Sequence, residues 1–214
     1  MIKTGVIVGS SDTDFCEIFN DDFAFYILGL WCADGYHRTS SIGLSNVDHT
    51  LILQFRDFLA KIFPIERLRL RIYIPLEKKE YDLTSLISSG INKISYCKIK
   101  KAKAPTVHIY VNSRPLLRAF RKARDGIQGV DDVNFITAYF SGRFDGDGSV
   151  SSDGRKDCRI AYSTSAEATT DCNLLHYLGI KSAKVYHYAA ARTYCIYISR
   201  YESERFLKNI REYS

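Results

Sequence analysis

The chain has 214 residues, of which 46% are hydrophobic, so it can bury the core of one large domain or two small ones. Its net charge of +6 favours an anionic partner. No run reaches the roughly 18 apolar residues of a membrane span, and the N-terminal apolar run is too short for a signal peptide. Six cysteines without a C-x-x-C pair indicate reduced thiols. We therefore expect an intracellular protein with no membrane partner, cytoplasmic in a prokaryote or within an organelle.

The first predicted helix, FYILGLWCADG (25–35), is apolar almost all round and ends in one carboxylate, Asp34. A carboxylate at that end faces the negative pole of the helix dipole. It also adjoins an apolar surface that resists charge. The sequence therefore predicts that a cation or another positive group outside the helix compensates Asp34.

The chain then reads as a strand, a polar turn and a helix up to about residue 63, followed by a strand over 67–74. That strand alternates, with Arg67, Arg69, Arg71 and Tyr73 on one face and aliphatic residues on the other. Residues 76–104 are rich in lysine and serine, and only KISYCKIKK within them resembles a strand. A second alternating strand follows over 106–112, with His108 and Tyr110 on its polar face. A charged helix over 113–126 begins at Ser113, which can cap it.

The same order then repeats. FSGRFDGDG (140–148) matches ILGLWCADG (27–35) in its third-position glycine, Gly142 against Gly29, and in its acid, Asp147 against Asp34. A strand, turn and helix follow again. Strands over 183–188 and 192–199 come next, and a helix over 199–214 begins at Ser199. The first of these strands places Lys184, Tyr186 and Tyr188 on one face. The second places Arg192 and Tyr194 on one face with Ile196 and Ile198, so its polar face is less clean.

The polar faces of these strands carry arginine, lysine, histidine and tyrosine with hardly an acid. One such strand is usually the solvated face of an antiparallel sheet. Several of them favour phosphate contact and base reading in a DNA groove.

The two carboxylates point to a metal. Gly29 and Gly142 would let the two helices approach closely, and Asp34 and Asp147 would then lie side by side and repel each other. A divalent cation such as Mg²⁺ would relieve that repulsion. Carboxylates, Mg²⁺ and a basic surface together indicate a phosphodiesterase, whereas the alternative is that each Asp-Gly pair only ends its helix with a turn.

With these two motifs and their repeated flanks, the sequence resembles the LAGLIDADG homing endonuclease family in its single-chain, two-motif form. The resemblance covers about residues 23–212. It implies an α+β fold of two pseudo-symmetric αββαββα halves, packed through the motif helices. Each half would have an antiparallel sheet, the two sheets forming a DNA-binding saddle. The halves are predicted at 1–126, with an insertion near 76–104, and at 127–214.

The resemblance also implies a function. It predicts an intron-encoded, monomeric endonuclease that cuts double-stranded DNA at a long, near-asymmetric site with Mg²⁺, for which Mn²⁺ can substitute. Its implied metal ligands are Asp34 and Asp147, with the backbone carbonyls of Ala33 and Gly146. Its implied water-ordering residues are Asn46 and Thr164. Lys122 is the candidate active-site cation, with Arg124 and Gln128 as alternatives. The implied DNA contacts are Tyr36, Arg38, Ser41, Arg67, Arg69, Arg71, Tyr73, His108, Tyr110, Ser149, Ser151, Arg159, Lys184, Tyr186, Tyr188, Arg192 and Tyr194.

The chain departs from the family pattern at two kinds of position. The usual acid at the motif's sixth position is Cys32 in the first copy. Arg143 interrupts the second motif helix, where we expect its side chain to snorkel to the helix edge.

Two alternatives stay open. One is an RNA maturase on the same fold, with intron RNA as partner. The other is a non-cutting DNA-binding regulator, which we would expect to have lost one or both acids. The presence of both acids favours cleavage.

Overall fold

A computed structural model of the chain describes residues 16–36, 40–76, 90–100, 104–152, 154 and 156–211. These residues form two compact units. The first contains Asp34–Arg121, and the second contains Ile18–Ala33 together with the chain from Lys122 onward. The predicted boundary at 126/127 divides the sequence by its repeat and stays a prediction. None of the helices in the described part of the chain is long and apolar enough to cross a membrane.

The elements follow the predicted order closely. In chain order they are α1 (Asp22–Asp34), β1 (Ser41–Asn46), α2 (His49–Ile62), β2 (Arg69–Pro75), β3 (Ile94–Ile99), β4 (Thr106–Asn112), α3 (Arg114–Asp125), α4 (Val133–Asp147), β5 (Gly148–Val150), β6 (Cys158–Tyr162), α5 (Ser165–Tyr177), β7 (Lys184–Tyr188), β8 (Thr193–Ile198) and α6 (Arg200–Ile210). Four short 3-10 turns accompany them at Cys16–Ile18, Ile65–Arg67, Ile127–Gly129 and Ala189–Ala191.

Most helices begin where a side chain can cap them. The side chains of Asp48 and Asp132 accept hydrogen bonds from backbone amides in the first turns of α2 and α4. Ser113 caps α3 as predicted, because its hydroxyl accepts from the Leu116 amide. Ser199 occupies the same place before α6 but makes no capping bond with its side chain, contrary to expectation.

The sheet of the first unit has the strand order β1-β4-β2-β3. Its core face carries aliphatic residues, among them Ile42, Leu44, Ile72 and Ile109, which are fully buried. The amphipathic helix α2 packs on this face through residues such as Phe55 and Leu59. The predicted alternation of β2 is therefore confirmed from Arg69 onward, because burial switches at every residue up to Ile72.

Strand β3 differs from the expected antiparallel arrangement. It lies within the predicted strand-like KISYCKIKK, but it pairs with β2 in parallel, with Leu70 opposite Ile94 and Pro75 opposite Ile99. A parallel neighbour needs a crossover connection. The intervening lysine- and serine-rich insertion supplies that length of chain, and its residues 77–89 lie outside the described part.

The sheet of the second unit has the order β5-β6-β8-β7, and all its pairs are antiparallel. Ile160, Ile196 and Ile198 are buried on its core face. Phe206 of α6 contacts two rings of α4, with its centroid 6.5 Å from that of Phe140 and 5.5 Å from that of Phe144. In both units, the buried aliphatic residues share one face of the sheet, and this face covers the core.

Helices α1 and α4 cross within the second unit at the two motif glycines. A Cβ atom at Gly29 would overlap the carbonyl oxygen of Tyr139, and one at Gly142 would overlap that of Tyr26. The contact is therefore reciprocal, with each glycine lying against the backbone of the other helix. This confirms the expectation that Gly29 and Gly142 let the motif helices approach closely.

Two predicted DNA contacts, Arg67 and Arg192, lie outside the strands that were predicted to carry them. Arg67 ends a 3-10 turn, where its guanidinium lies 4.7 Å from the centre of the Phe63 ring. Arg192 follows the 3-10 turn Ala189–Ala191 and has a left-handed backbone, with φ of 52°. The strands start at Arg69 and Thr193 because the residues just before them form these turns and their C-caps.

Candidate active site

The two motif acids are the last residues of their helices, α1 and α4. In each unit the next residue is a glycine that pairs with a strand: Gly35 bridges Leu44 of β1, and Gly148 pairs with Ile160 of β6. Each carboxylate is therefore fixed where a helix turns directly into a sheet. These matching pairs also define which residues of the two halves correspond.

Asn46 holds Asp34 in the first unit. Its Nδ2 donates to Asp34 Oδ2 over 2.7 Å, and its Oδ1 accepts from the Asp48 amide, also over 2.7 Å. The second bond requires the amide oxygen on that side, so the nitrogen must point toward the carboxylate. The structure thus brings together two residues that the sequence had assigned to one site.

Thr164 does not correspond to Asn46. Since Leu44 and Ile160 pair with equivalent glycines, the residue that matches Asn46 is Tyr162. Counting back from the helix caps gives the same result, because Thr164 caps α5 as Asp48 caps α2. The Thr164 hydroxyl accepts from the Glu167 amide, which gives this residue a structural role at the start of α5.

Arg143 is buried in the second unit and does not snorkel to the helix edge as expected. Only 1% of its surface is exposed. Its guanidinium lies 4.3 Å from the centre of the Tyr162 ring, and its Nε is 3.3 Å from Asp171 Oδ2. The Nε–H is not aimed well enough at this oxygen for a hydrogen bond, so the contact is an ion pair. The correction follows from Asp171, an acid inside α5 that the sequence analysis had passed over.

Two tyrosines complete this buried cluster. The Tyr162 hydroxyl donates to Asp171 Oδ2 over 2.8 Å, and the Tyr139 hydroxyl donates to the same carboxylate. Burial raises the pKa of Asp171, while Arg143 and the two hydroxyls oppose that shift. Burial also raises the pKa of both tyrosines well above its ordinary value. We call Tyr139, Arg143, Tyr162 and Asp171 the buried cluster.

Asp147 lies beside this cluster. A cavity of about 380 Å³ is lined by Asp147, Arg143, Tyr162 and Glu167, together with Arg192. Burial raises the pKa of Asp147, Arg143 lowers it, and Glu167 raises it further. The two motif acids therefore have different neighbours: an amide beside Asp34, and a buried cation on the same helix as Asp147.

The oxygen donors fit a hydrated divalent cation. Among the described residues, no group of three or more histidine, cysteine, aspartate or glutamate side chains could hold a metal ion. Each motif provides one carboxylate, and backbone carbonyls at Ala33 and Gly146 precede the acids. Mg²⁺ commonly takes one or two protein carboxylates and fills its other positions with water and substrate phosphate. The donor set is therefore suited to an ion held jointly with a phosphate substrate.

The outer face of the first sheet is polar and aromatic. Ser41, Arg69, Arg71, Tyr73, His108 and Tyr110 all lie on it, as the pairing register of β1, β4 and β2 requires. The Arg71 guanidinium lies 5.6 Å from the Tyr110 ring centre. Gly43 makes room for this arrangement, because a Cβ there would be 2.7 Å from that of Tyr110.

His108 is a support within that face. Only 6% of its surface is exposed, its ring stacks on Tyr110, and its edge meets Tyr36. Ser45, which the sequence analysis did not single out, lies 2.6 Å from His108 Nδ1. Burial, with a smaller effect from Arg71, lowers the pKa of His108 to about 4. The ring is therefore neutral at pH 7, and its direct contact with DNA stays a prediction.

The outer face of the second sheet carries Ser149, Arg159, Lys184, Tyr186 and Tyr188, which are opposite or aligned in its register. Tyr194 lies on the other face, where it stacks on His187 with ring centres 4.6 Å apart. The outer-face residue of β8 is instead Tyr197, opposite both Lys184 and Arg159. The alternation of β8 is the predicted one, with Tyr194, Ile196 and Ile198 on one face, but that face covers the core.

The remaining candidates have varied positions. Ser151 follows β5, and its amide donates to the Asp157 carbonyl. Arg38 lies outside the described residues. Lys122 is exposed in the last turn of α3. Arg124 and Gln128 line a second cavity, of about 360 Å³, with Cys32 and with Tyr139, Arg143 and Asp171 of the buried cluster. Neither the Asp34–Asn46 contact nor the cavity beside Asp147 includes Lys122.

Comparison with known proteins identifies the fold. No protein-family model matches the chain, and no curated protein matches it. A structure of mesophilic variants of the homing endonuclease I-DmoI matches with a TM-score of 0.59 and 16% identity, over 90% of this chain and 96% of that one. I-DmoI in complex with DNA and Mn matches with a TM-score of 0.60 and 14% identity, over 90% and 97%.

A second kind of protein shares the fold. The N-terminal LAGLIDADG domain of WhiA matches with a TM-score of 0.56 and 15% identity, over 97% of this chain and 85% of that one. At these identities the likeness establishes architecture. This chain therefore has the α+β, two-domain LAGLIDADG fold found in I-DmoI and in WhiA.

Proposed function

We propose that this chain is an endonuclease that cuts double-stranded DNA with the help of a divalent cation. The observation that carries the proposal is the pair of motif acids, Asp34 and Asp147, each fixed at a helix end that runs directly into a sheet. The fold shared with I-DmoI, which has been crystallised with DNA and Mn, supports it. We propose further that the chain acts as an intracellular monomer.

In each half, Mg²⁺, or Mn²⁺ in its place, would be held by the motif acid and the backbone carbonyl before it: Asp34 with Ala33, and Asp147 with Gly146. Such an ion supplies a polarised phosphate oxygen and a bound water of lowered pKa. The chain itself orients the ligands. Asn46 fixes the Asp34 carboxylate through a hydrogen bond of 2.7 Å, and the turn into Gly35 fixes the helix end.

The outer faces of the two sheets are the proposed DNA contacts. Arg69, Arg71 and Lys184 provide positive charge for phosphates. Exposed Tyr186 and Tyr188 add aromatic surface on the second sheet. Arginine at such a face can also pair with guanine in the major groove. Each sheet is therefore suited to one side of a DNA site.

A non-cutting DNA-binding protein is the second candidate. Two observations favour it: the fold also occurs in the WhiA domain, and Asn46 has no amide counterpart in the second half, where Tyr162 stands instead. Such a protein would bind DNA equally well with or without its acids. Cleavage therefore distinguishes the two candidates.

The test begins with incubation of the purified chain and Mg²⁺ with a randomised duplex library, followed by sequencing of the cut ends. A plasmid carrying the selected site is then treated with the wild type, Asp34→Asn and Asp147→Asn. We expect the wild type to linearise the plasmid and each variant to nick it or leave it intact.

Gel shifts on the same site provide the second measurement. Both variants should bind with equal or higher affinity, because each loses a negative charge close to phosphate. Asp57→Asn is the matched control, since Asp57 is an exposed acid on α2 paired with Arg56, and it should cut normally. Linearisation by both motif variants at the wild-type rate would show that Asp34 and Asp147 only end their helices.

A further inference from the structure

The two halves differ at a buried pair of positions beside the second motif acid. Arg143 stands where the first motif has Leu30, counted from Gly142 and Gly29. Asp171 stands where α2 has Phe55, counted from the caps Thr164 and Asp48. Leu30 and Phe55 are both fully buried. The second half therefore has an ion pair at positions that are apolar in the first.

Arg143 is close to Asp147 by helix geometry. It precedes the acid by four residues in α4, and side chains at that spacing share a helix face with about 5–6 Å between Cβ atoms. Both residues also line the cavity of about 380 Å³. The guanidinium is therefore close enough to Asp147 to interact electrostatically with a cation that this carboxylate binds.

The buried cluster prevents the guanidinium from moving away. Tyr162 covers one face of it at 4.3 Å, and Asp171 meets its Nε at 3.3 Å. Asp171 is itself fixed by the hydroxyls of Tyr139 and Tyr162. In the first half, Leu30 stands in the place of Arg143, and the neighbour of Asp34 is the uncharged amide of Asn46.

We propose that Arg143 is a positioning residue that weakens divalent-cation binding by Asp147, so that the two halves bind Mg²⁺ with unequal affinity. This inference rests on the proposed nuclease function. A fixed positive charge about one helical turn away repels a divalent cation. The carboxylates of Asp171 and Glu167, the second of which lines the same cavity, offset only part of that repulsion. We expect a difference of about tenfold in affinity, the order that Coulomb's law gives for a partly screened charge at this distance.

Calorimetric titration of the chain–DNA complex with Ca²⁺ tests this without cleavage of DNA. The wild type should show a tight and a weak class of site. Asp147→Asn should remove the weak class, and Asp34→Asn the tight one. A single class of sites, or loss of the tight class in Asp147→Asn, would overturn the proposal. This part of the test needs no change in the buried cluster.

Arg143→Met with Asp171→Asn tests the cause. The double variant removes both charges but keeps an amide oxygen that accepts from both tyrosine hydroxyls. The weak class should then tighten by about tenfold, whereas Arg143→Lys, which keeps the charge, should leave it weak. Arg56→Met with Asp57→Asn makes the same changes at an ion pair on α2 and should alter neither class. Unchanged weak binding in a folded Arg143→Met/Asp171→Asn protein would refute the role of Arg143.

The outcomes also separate this inference from the proposed function. Equal Ca²⁺ affinities in an enzyme that needs both acids for cleavage would refute the inference alone. Full cleavage by both Asp→Asn variants would refute the nuclease assignment of the acids, and the inference with it.

Discussion

The polar residues of this chain acquire their roles from their neighbours. His108 reads in the sequence as one more side chain on a polar strand face, yet it is buried under Tyr36 and Tyr110 and held by Ser45. A buried imidazole that stays neutral acts as a rigid support for the two rings. Direct contact with DNA then depends more on Tyr36, which is exposed, and on the half-buried Tyr110 than on the histidine.

The lowered pKa of His108 predicts a stability effect in acid. The folded state holds the pKa near 4, below the ordinary value of 6.5, so protonation favours the unfolded state. The contribution of His108 is complete above pH 6.5 and is lost as the pH falls from there toward 4. Each pH unit in that window should lower the free energy of unfolding by roughly 1 kcal/mol.

Urea unfolding at several pH values measures this effect. His108→Gln keeps hydrogen-bonding groups but does not titrate, so its free energy of unfolding should fall less steeply between pH 6.5 and 5 than that of the wild type. Carboxylates contribute equally to both proteins and cancel in the comparison. Parallel curves would mean that His108 is not held neutral by its site.

At the scale of elements, the crossing of α1 and α4 leaves no room for a side chain at the two motif glycines. Each motif glycine lies against a backbone carbonyl of the other helix, and a backbone atom cannot rotate away as a side chain can. The crossing explains why two otherwise apolar helices both place glycine at the third motif position. It also fixes the orientation of α4, whose last residue, Asp147, directly precedes β5.

Gly29→Ala and Gly142→Ala should therefore destabilise the protein strongly. Alanine is the better helix former by about 1 kcal/mol, but overlap with backbone forces the helices apart, and we expect a net loss of about 3 kcal/mol or more. Gly129→Ala is the control, because nothing lies within 4 Å of a Cβ at that position. Its effect should stay within about 0.5 kcal/mol. Thermal unfolding of the three variants gives the comparison, and equal melting temperatures for all three would contradict the close crossing.

For the whole molecule, the outer faces of the sheets predict how DNA binding responds to mutation and salt. Arg69→Ala should weaken binding to the selected site by roughly 1–3 kcal/mol and relax specificity at one base pair if Arg69 reads a base. If Arg69 contacts phosphate only, the loss should be uniform across sequences and the salt dependence shallower.

Arg118 provides the control for that experiment. It is exposed on α3, whose Phe120 packs against Phe58 of α2 on the core side of the first sheet. Fluorescence anisotropy with matched and mismatched duplexes at several salt concentrations measures both variants. Equal behaviour of Arg69→Ala and Arg118→Ala would place the outer face of β2 away from DNA.

Much of the fold could be predicted from the sequence because local signals agree with it. The motif glycines, the alternating strands and the capping residue Ser113 each depend on a few adjacent residues. The errors have tertiary causes. Tyr197 was missed in favour of Tyr194 because the face of β8 that carries Tyr194 packs on the core, where Ile196 and Ile198 are buried. Arg143 could not be placed without Asp171, a partner in another helix.

The ion pair of Arg143 and Asp171 also restricts how this chain can evolve. Removal of either partner alone leaves a buried, uncompensated charge, at a cost of about 3–5 kcal/mol, and an ordinary domain has only about 5–15 kcal/mol of stability to lose. Return to the apolar residues that the first half carries, Leu30 and Phe55, therefore requires two substitutions in close succession. Each of the two positions is epistatic to the other, so drift at one is blocked until its partner changes. If the halves once had identical sequences, this pair makes a return to identity at these positions difficult, because each single reversal is destabilising.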